Sequence, residues 1–380
     1  MHPILKPALR RGWRDRHTVQ CGVTPAHAVL LGPVDTATAS FLNLLDGTRG
    51  LELLRDEGRR TGLPDGHVDR LVERLSAAGL LDDATGGGPT AEDLRKRESA
   101  LQRLQPDLAS LSVVTPEPGG AMKTLAARRT LRVQIQGAGR VGTIIASVLA
   151  AAGVGHIDVQ DIGCVEPWDL APGGLPAESV GDRRTDAARQ AVRRAAPDRP
   201  PRRDKSRKTT AGEPGLSLVI LAPRDGLAAH APDPAAAEPL ISSGTPHLYA
   251  GVVEATGVVG PLVLPGTTAC AGCLLQGRTD RDPAWPRLLA QWRSGQQRHV
   301  TACDTALATA VAGLAAAHAL AFLDGGAPAS TGARWEASLP GLDWHPRPVW
   351  PHPACPCGAV EQGMSEQTSD DGERHETMAG

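Results

Sequence analysis

The strongest constraint on this chain is the continuous stretch 131–161. Residues 131–136, LRVQIQ, alternate apolar and polar and read as a strand. The six residues Gly137-Ala138-Gly139-Arg140-Val141-Gly142 then fit G-x-G-x-x-G, and 143–152 is an apolar helix. A second strand at 156–160 ends in Asp161, nineteen residues beyond Gly142. In such a loop Gly137 permits the tight turn, Gly139 lets a pyrophosphate approach the backbone, and Gly142 allows close helix-to-strand packing. A carboxylate at the position of Asp161 can accept hydrogen bonds from ribose hydroxyls. The stretch therefore predicts an α/β fold, a Rossmann-like nucleotide-binding domain, with Gly137, Gly139, Arg140, Gly142 and Asp161 as cofactor-binding residues.

Composition limits what else the chain is. With 380 residues, 41% hydrophobic and 22% charged, it can bury a sizeable core and predicts one large domain plus a small one. Forty Lys and Arg against 42 Asp and Glu leave no basic footprint for nucleic acid. No uninterrupted apolar run is read as a membrane span. The opening residues lack the apolar stretch of a secretion signal, so the expected compartment is the cytoplasm and the seven cysteines call for a role other than disulfides.

Around the nucleotide stretch the chain divides into four parts. Within 1–84, residues 17–31 read as two short strands about a turn at Thr24-Pro25. Helical spacing of apolar residues follows at 36–45, 51–61 and 66–80. Residues 85–130 read as a Gly-rich joint and a charged helix over 91–111, with Thr90 or its neighbour as cap. The nucleotide-binding domain is placed at 131–360. The segment 198–215 reads as a basic surface loop, and 361–380 as a disordered acidic tail.

The run GAGRVGTIIASVLAAAGVGHIDVQDIGCVEPWDL resembles the ThiF-type, ubiquitin-activating-enzyme-like superfamily, and the resemblance extends over about 131–359. It implies a protein that binds Mg-ATP and adenylates the C-terminal carboxylate of a peptide or small carrier protein, with pyrophosphate as the other product. Asp161 matches the ribose-binding acid. Elsewhere the text departs from the family pattern. Gly163 replaces the second acid of Asp-x-Asp, and Asp169-Leu170-Ala171-Pro172-Gly173 replaces Asn-Leu-x-Arg-Gln. The family's lysine falls on Arg184 and its magnesium-holding acid on Arg224. Arg184 and Arg224 are the expected catalytic residues, with Arg140 and Arg183 as further cations facing the phosphates. The resemblance also implies a homodimer, for which the stretch with Arg95, Arg97 and Arg103 offers an arginine to the neighbouring copy.

Residues 1–84, through GTRGLELL and LVERLSAAGLL, resemble the small winged-helix PqqD-like domains that recognise leader peptides of ribosomal natural products. The implied partner is a ribosomal peptide, added as a strand at the edge near 18–23 and closed in by the helix at 66–80.

Two cysteine pairs, Cys270/Cys273 and Cys355/Cys357, supply four thiolates for a tetrahedral zinc. His352 is a candidate substitute for one of the second pair. A redox role for Cys270/Cys273 is set aside because the motif does not read as the start of a helix after a strand. Cys303, just before an apolar helix at 306–323, is either an acyl acceptor or a small buried hydrophobe.

Three functions follow as expectations. The first is adenylation of a peptide or carrier-protein carboxylate. The second is a catalytically silent scaffold presenting a leader peptide to a partner cyclodehydratase. The third is a nicotinamide dehydrogenase, since Asp161 also suits an NAD ribose.

Overall fold

The computed structural model describes residues 1–198, 215–294 and 300–360. The expected acidic tail lies outside the described residues, as does all but the two ends of the expected basic loop. The chain forms two compact units, Met1–Arg129 and Thr130–Gly380.

In the first unit, strands β1 (Pro3–Leu5), β2 (Arg11–Trp13), β3 (Val19–Cys21) and β4 (Val29–Leu31) precede helices α1 (Thr36–Leu42), α2 (Leu51–Arg60) and α3 (His67–Ala77). Strand β5 (Leu81–Asp83) follows and returns antiparallel to β1, with Leu5 opposite Leu81. Asp35 caps α1 by accepting from the Thr38 amide at 2.7 Å. Phe41, Leu54, Leu71, Leu75 and Leu81 fill the core between the helices and the sheet. Helices α2 and α3 approach so closely that a Cβ at Gly58 would lie 2.5 Å from Val68.

Strands β2, β3 and β4 form a sheet in that order, so β3 is paired on both sides. This corrects the expected docking edge. Within 18–23, Val19–Cys21 is the central strand of the sheet and has no free edge for an added strand, whereas β2 and β4 are the outer strands.

The stretch after β5 also differs from its reading. Instead of one helix at 91–111 there are α4 (Gly88–Arg95), α5 (Glu98–Arg103) and α6 (Gln105–Val114), then α7 (Gly120–Arg128). Pro106 explains one break, since proline is accepted in the first turn of a helix and not in the middle. Asp82 of β5 anchors the far end, accepting from Ser112 Oγ at 2.9 Å and the Gly119 amide at 2.7 Å. Arg95 donates to the carbonyls of Thr85 and Gly86 within its own unit.

The second unit is built on β6 (Arg132–Gln136), α8 (Arg140–Ala151), β7 (His156–Gln160), α9 (Arg184–Ala195) and β8 (Leu218–Leu221). It continues with α10 (Leu227–His230), α11 (Pro234–Ser242), β9 (His247–Val253) and β10 (Thr256–Val263). Then come α12 (Ala271–Arg281), α13 (Trp285–Ser294), α14 (Thr305–Leu323), β11 (Ala333–Ser338) and β12 (His345–Pro348). The sheet has the order β12-β11-β10-β9-β8-β6-β7. Strands β7, β6, β8 and β9 run parallel, and β10 to β12 add antiparallel.

Helix α14 corrects the reading on membrane spans, because it is 19 residues long and apolar enough to cross one. Its Leu307, Val311, Ala312, Ala315 and Ala319 are instead buried in the main core with Ile144, Ile145 and Leu149 of α8 and Leu248 and Ala250 of β9. Its small residues allow that close packing on the buried face.

Candidate functional site

The chain crosses from β7 on one side of β6 to β8 on the other, which leaves a crevice at the C-terminal ends of these parallel strands. A cavity of about 790 Å³ opens there, lined by Gly137 after β6, Asp161 and Gly163 after β7, Arg184 at the start of α9, and Pro223 and Arg224 after β8. The glycine loop is as tight as its text implies. Gly137 has φ +117°, and a Cβ there would lie 1.9 Å from the Ala222 carbonyl oxygen. A Cβ at Gly142 would lie 2.0 Å from the Gly137 oxygen, so these two positions exclude every side chain. Gly139 starts α8, and the stem of Arg224 packs directly on it.

Asp161 closes the β7 side of the cavity. Its two oxygens accept from the Ala138 and Ile162 amides, both at 2.6 Å, and its Oδ1 lies 3.6 Å from Arg184 Nη1. The first of these bonds ties the acid to the glycine loop and fixes its place beside the crevice.

The charges around Arg184 and Arg224 form a closed set. Arg184 donates through Nε to Asp169 Oδ2 at 3.0 Å, through Nη2 to Glu166 Oε2 at 2.9 Å, and through Nη1 to the Ile162 carbonyl at 2.6 Å. Arg224 donates through Nε to Asp169 Oδ1 at 2.8 Å and through Nη2 to the same Glu166 oxygen. Each carboxylate thus bridges both guanidiniums. The Asp169 side chain is 4% exposed and that of Arg184 8%, while Arg224 is 30% and Glu166 40% exposed. Burial opposes the charge on Arg224, but the hydrogen bonds and charges of Asp169 and Glu166 outweigh it and raise its pKa above the ordinary value. Gly163 has φ +83°, and a Cβ there would come within 3.0 Å of Arg184 Nη1, which accounts for the missing second acid of the motif.

Sequence reasoning missed Glu166 and Asp169. Glu166 caps and Asp169 ends a 3-10 turn at Pro167–Asp169 in which the Asp169 carboxylate accepts from the Glu166 amide. That Glu-Pro-x-Asp spacing was the available signal. Arg140 is not among the residues lining the cavity; its Nη1 donates to the Cys303 carbonyl at 2.7 Å. Arg183 precedes α9 and is exposed. Cys303 is half-buried against the core, and burial raises its thiol pKa, so it lacks the activation an acyl acceptor needs.

The residues present fit a nucleotide: a cradle that only glycine permits at the start of a twelve-residue helix suits its phosphates, and the acid beside it suits the ribose. They do not fit magnesium. Asp161 and Asp169 have an amide or guanidinium donor on each oxygen, and Glu166, whose Oε2 takes both guanidiniums, is left with at most Oε1.

The four paired cysteines come together as expected, with all Sγ atoms within 4.8 Å of one another. Cys270 and Cys355 are 3.5 Å apart and Cys273 and Cys357 3.6 Å, close to the ~3.8 Å of a tetrahedral site with Zn–S of about 2.3 Å. This cluster could hold a zinc ion. Gly272 is required, since a Cβ there would lie 2.8 Å from Cys355 Sγ. His352 is not part of the cluster; its ring accepts from the Ala354 amide and meets Asp280 at 2.8 Å. The motif does open a helix, because Cys270 is the N-cap of α12, which corrects the argument against redox chemistry. What stands against that role is the second pair, placed to complete four ligands.

The ThiF family matches residues 114–358. Among solved structures, E. coli MccB with ATP superposes with a TM-score of 0.66 at 15% identity, covering 94% of this chain and 99% of that one. MccB, the microcin C7 biosynthetic enzyme, in complex with N-formylated MccA gives 0.64 at 14% identity, covering 94% of this chain and all of the other (100%). The heterocyclase TruD gives 0.60 at 16% identity, covering 95% of this chain and 43% of TruD. No curated protein matches the chain by sequence.

Proposed function

The chain belongs to the ThiF family, and from that premise we propose that it binds a ribosomal precursor peptide and holds it for a partner enzyme, retaining a nucleotide pocket that does not adenylate on its own. One observation carries this reading. The two cations expected to stabilise a reacting phosphate, Arg184 and Arg224, are already neutralised by Glu166 and Asp169, and Pro172 stands where the family pattern has a third. Transition-state stabilisation needs cations aimed at the developing charge, and a pair whose planes are held on buried Asp169 is not free to follow it.

The peptide reading draws support from the structural neighbours, MccB in complex with N-formylated MccA and the heterocyclase TruD. A cyclodehydratase is the partner class this suggests. The first unit, as a small winged-helix, PqqD-like domain, supplies the docking strand. Its outer strand β4 runs into Gly32, whose carbonyl accepts from Arg74 Nη2 of α3 at 3.2 Å. An extended peptide adding to β4 would have α3 as its wall, the helix named from the sequence but one strand over from the edge first expected. A homodimer in the cytoplasm completes the proposal.

Adenylation remains the second reading, favoured by the size of the cavity and by its glycine cradle. The nicotinamide alternative has no support in the family assignment. The test is ATP–pyrophosphate exchange alongside fluorescence anisotropy with the precursor peptide encoded near the gene. Tight peptide binding with no exchange by the lone protein is expected; robust exchange by the lone protein would establish the second reading instead.

A further inference from the structure

We propose that the crevice beside the glycine loop binds nucleotide phosphates through Arg184 and Arg224 without a divalent metal, the phosphate taking the place that Glu166 holds between the two guanidiniums. The proposal rests on reading that crevice as a nucleotide site. A di- or triphosphate there needs counter-charge, which either a metal held by carboxylates or fixed cations can provide. Asp161 lines the crevice, Glu166 and Asp169 join its two arginines, and of their six oxygens at most one, Glu166 Oε1, is left without a donor. Asp161 has one amide donor on each oxygen, and Asp169 has a guanidinium on each. Among the described residues, the four cysteines are the only group of three or more potential ligands placed to hold a metal.

Guanidiniums, by contrast, are present in duplicate and line the cavity. Each keeps its charge at any working pH and offers a planar fork suited to phosphate oxygens. Asp169, almost wholly buried, holds both by their Nε atoms and so fixes their planes while leaving the outer nitrogens toward Glu166. Glu166 is the most exposed member, and a single oxygen of it accepts from both Nη2 atoms. That oxygen marks where a phosphate oxygen would sit. Binding then exchanges one anion for another, so the apparent affinity is set by competition between the phosphate and the Glu166 side chain. Asp169 is a positioning residue; Arg184 and Arg224 make the contact.

The test is calorimetric titration of ATP onto the full chain, once in buffer stripped of divalent ions on a chelating resin and once with excess magnesium. Free chelator is avoided because it would compete for zinc at the cysteine cluster. The expected result is an affinity equal within about twofold in the two buffers, and a gain of about tenfold for Glu166→Gln, which removes the competing charge. Arg224→Asp, which supplies a free carboxylate in place of the fork, should bind only with magnesium. If this variant does not fold, the two wild-type titrations still decide the matter. Tenfold tighter binding with magnesium would overturn the proposal while leaving the nucleotide reading intact. No binding in either buffer would overturn both.

Discussion

Asp169→Ala should unfold the second unit early, and the size of the loss follows from what its two oxygens hold. They accept from Arg184 Nε, Arg224 Nε and the Glu166 amide, all at 2.8–3.0 Å, from a side chain that is 4% exposed. Removing one partner of a buried ion pair costs about 3–5 kcal/mol, chiefly because a charge is left buried without compensation. Two features place this case at about 3 kcal/mol, the lower end of that range. Arg184 keeps Glu166 and the Ile162 carbonyl, and Arg224, 30% exposed, can recruit water. For a unit of this size each kcal/mol lowers the midpoint by roughly 2–4 °C, so a fall of about 6–12 °C is expected. Tryptophan fluorescence during heating is a suitable assay, because Trp13 is the only one of the seven tryptophans in the first unit. Arg189→Ala is the control. Its pair with Asp186 is about half exposed on both sides and should contribute about 0.5 kcal/mol or less. Asp169→Asn should fall between the two, since it keeps the shape but not the charge. A midpoint for Asp169→Ala no lower than that of Arg189→Ala would show that the network holds nothing together.

Other outcomes are equally open to measurement. Purified without chelators, the protein should carry about one zinc per chain and lose it in Cys273→Ser; mass spectrometry showing well under one in the wild type would refute the four-cysteine site. Gly142→Ala should cost nucleotide affinity and more than about 2 kcal/mol of stability, because its Cβ would lie 2.0 Å from the Gly137 oxygen, and unchanged titration and melting curves would contradict that. His230 lies beside Arg334, Glu336 and Arg278, and burial, followed by the charge of Arg334, lowers its pKa to about 4. Its neutral form therefore contributes stability that is present above pH ~6.5 and is lost as pH falls toward about 4, on the order of 3 kcal/mol in all, and His230→Gln should flatten that part of the stability profile. The isolated fragment 1–129 should bind the precursor peptide, and Arg74→Glu should weaken it; binding by the full chain alone would move the peptide site out of this unit.

How far the sequence disclosed all this depended on the range of the interactions involved. The nucleotide stretch was legible because a tight loop constrains its own residues: Gly137 and Gly142 are glycine for reasons that lie within a few residues or one strand away. The cysteine cluster was legible because thiolate pairs have few uses, although His352 could be set aside only once its ring was seen engaged with Asp280. The docking edge was misplaced because the sequence of 11–13, RGW, carries no alternation from which to infer β2, and without β2 the strand at 19–21 looks like an edge. The three helices at 88–114 ran together in the reading because charge and apolar spacing continue across Pro106 while the backbone does not.

The charged network around Arg184 and Arg224 was the least legible, and for a different reason. Read singly, Asp169 in place of an asparagine and Arg224 in place of an acid are two losses, each removing something the family resemblance implies. In the fold they are 55 residues apart and 2.8 Å from contact to contact, and they form one exchange. An acid at 224 beside Asp169 and Glu166 would bring three carboxylates together with only Arg184 among them. Arg224 facing an asparagine would be left with half of its charge partners in a largely buried site. Either change alone is costly, and both together give a neutralised and well hydrogen-bonded set, which is what makes the pair coherent as a single alteration of the site. The prediction this yields is a coupled one: Asp169→Asn combined with Arg224→Asp should be more stable than the sum of the two single losses implies, by about 1–3 kcal/mol in a double-mutant cycle. Simple additivity would mean that the two positions are independent and that the charge exchange across the pocket is coincidental.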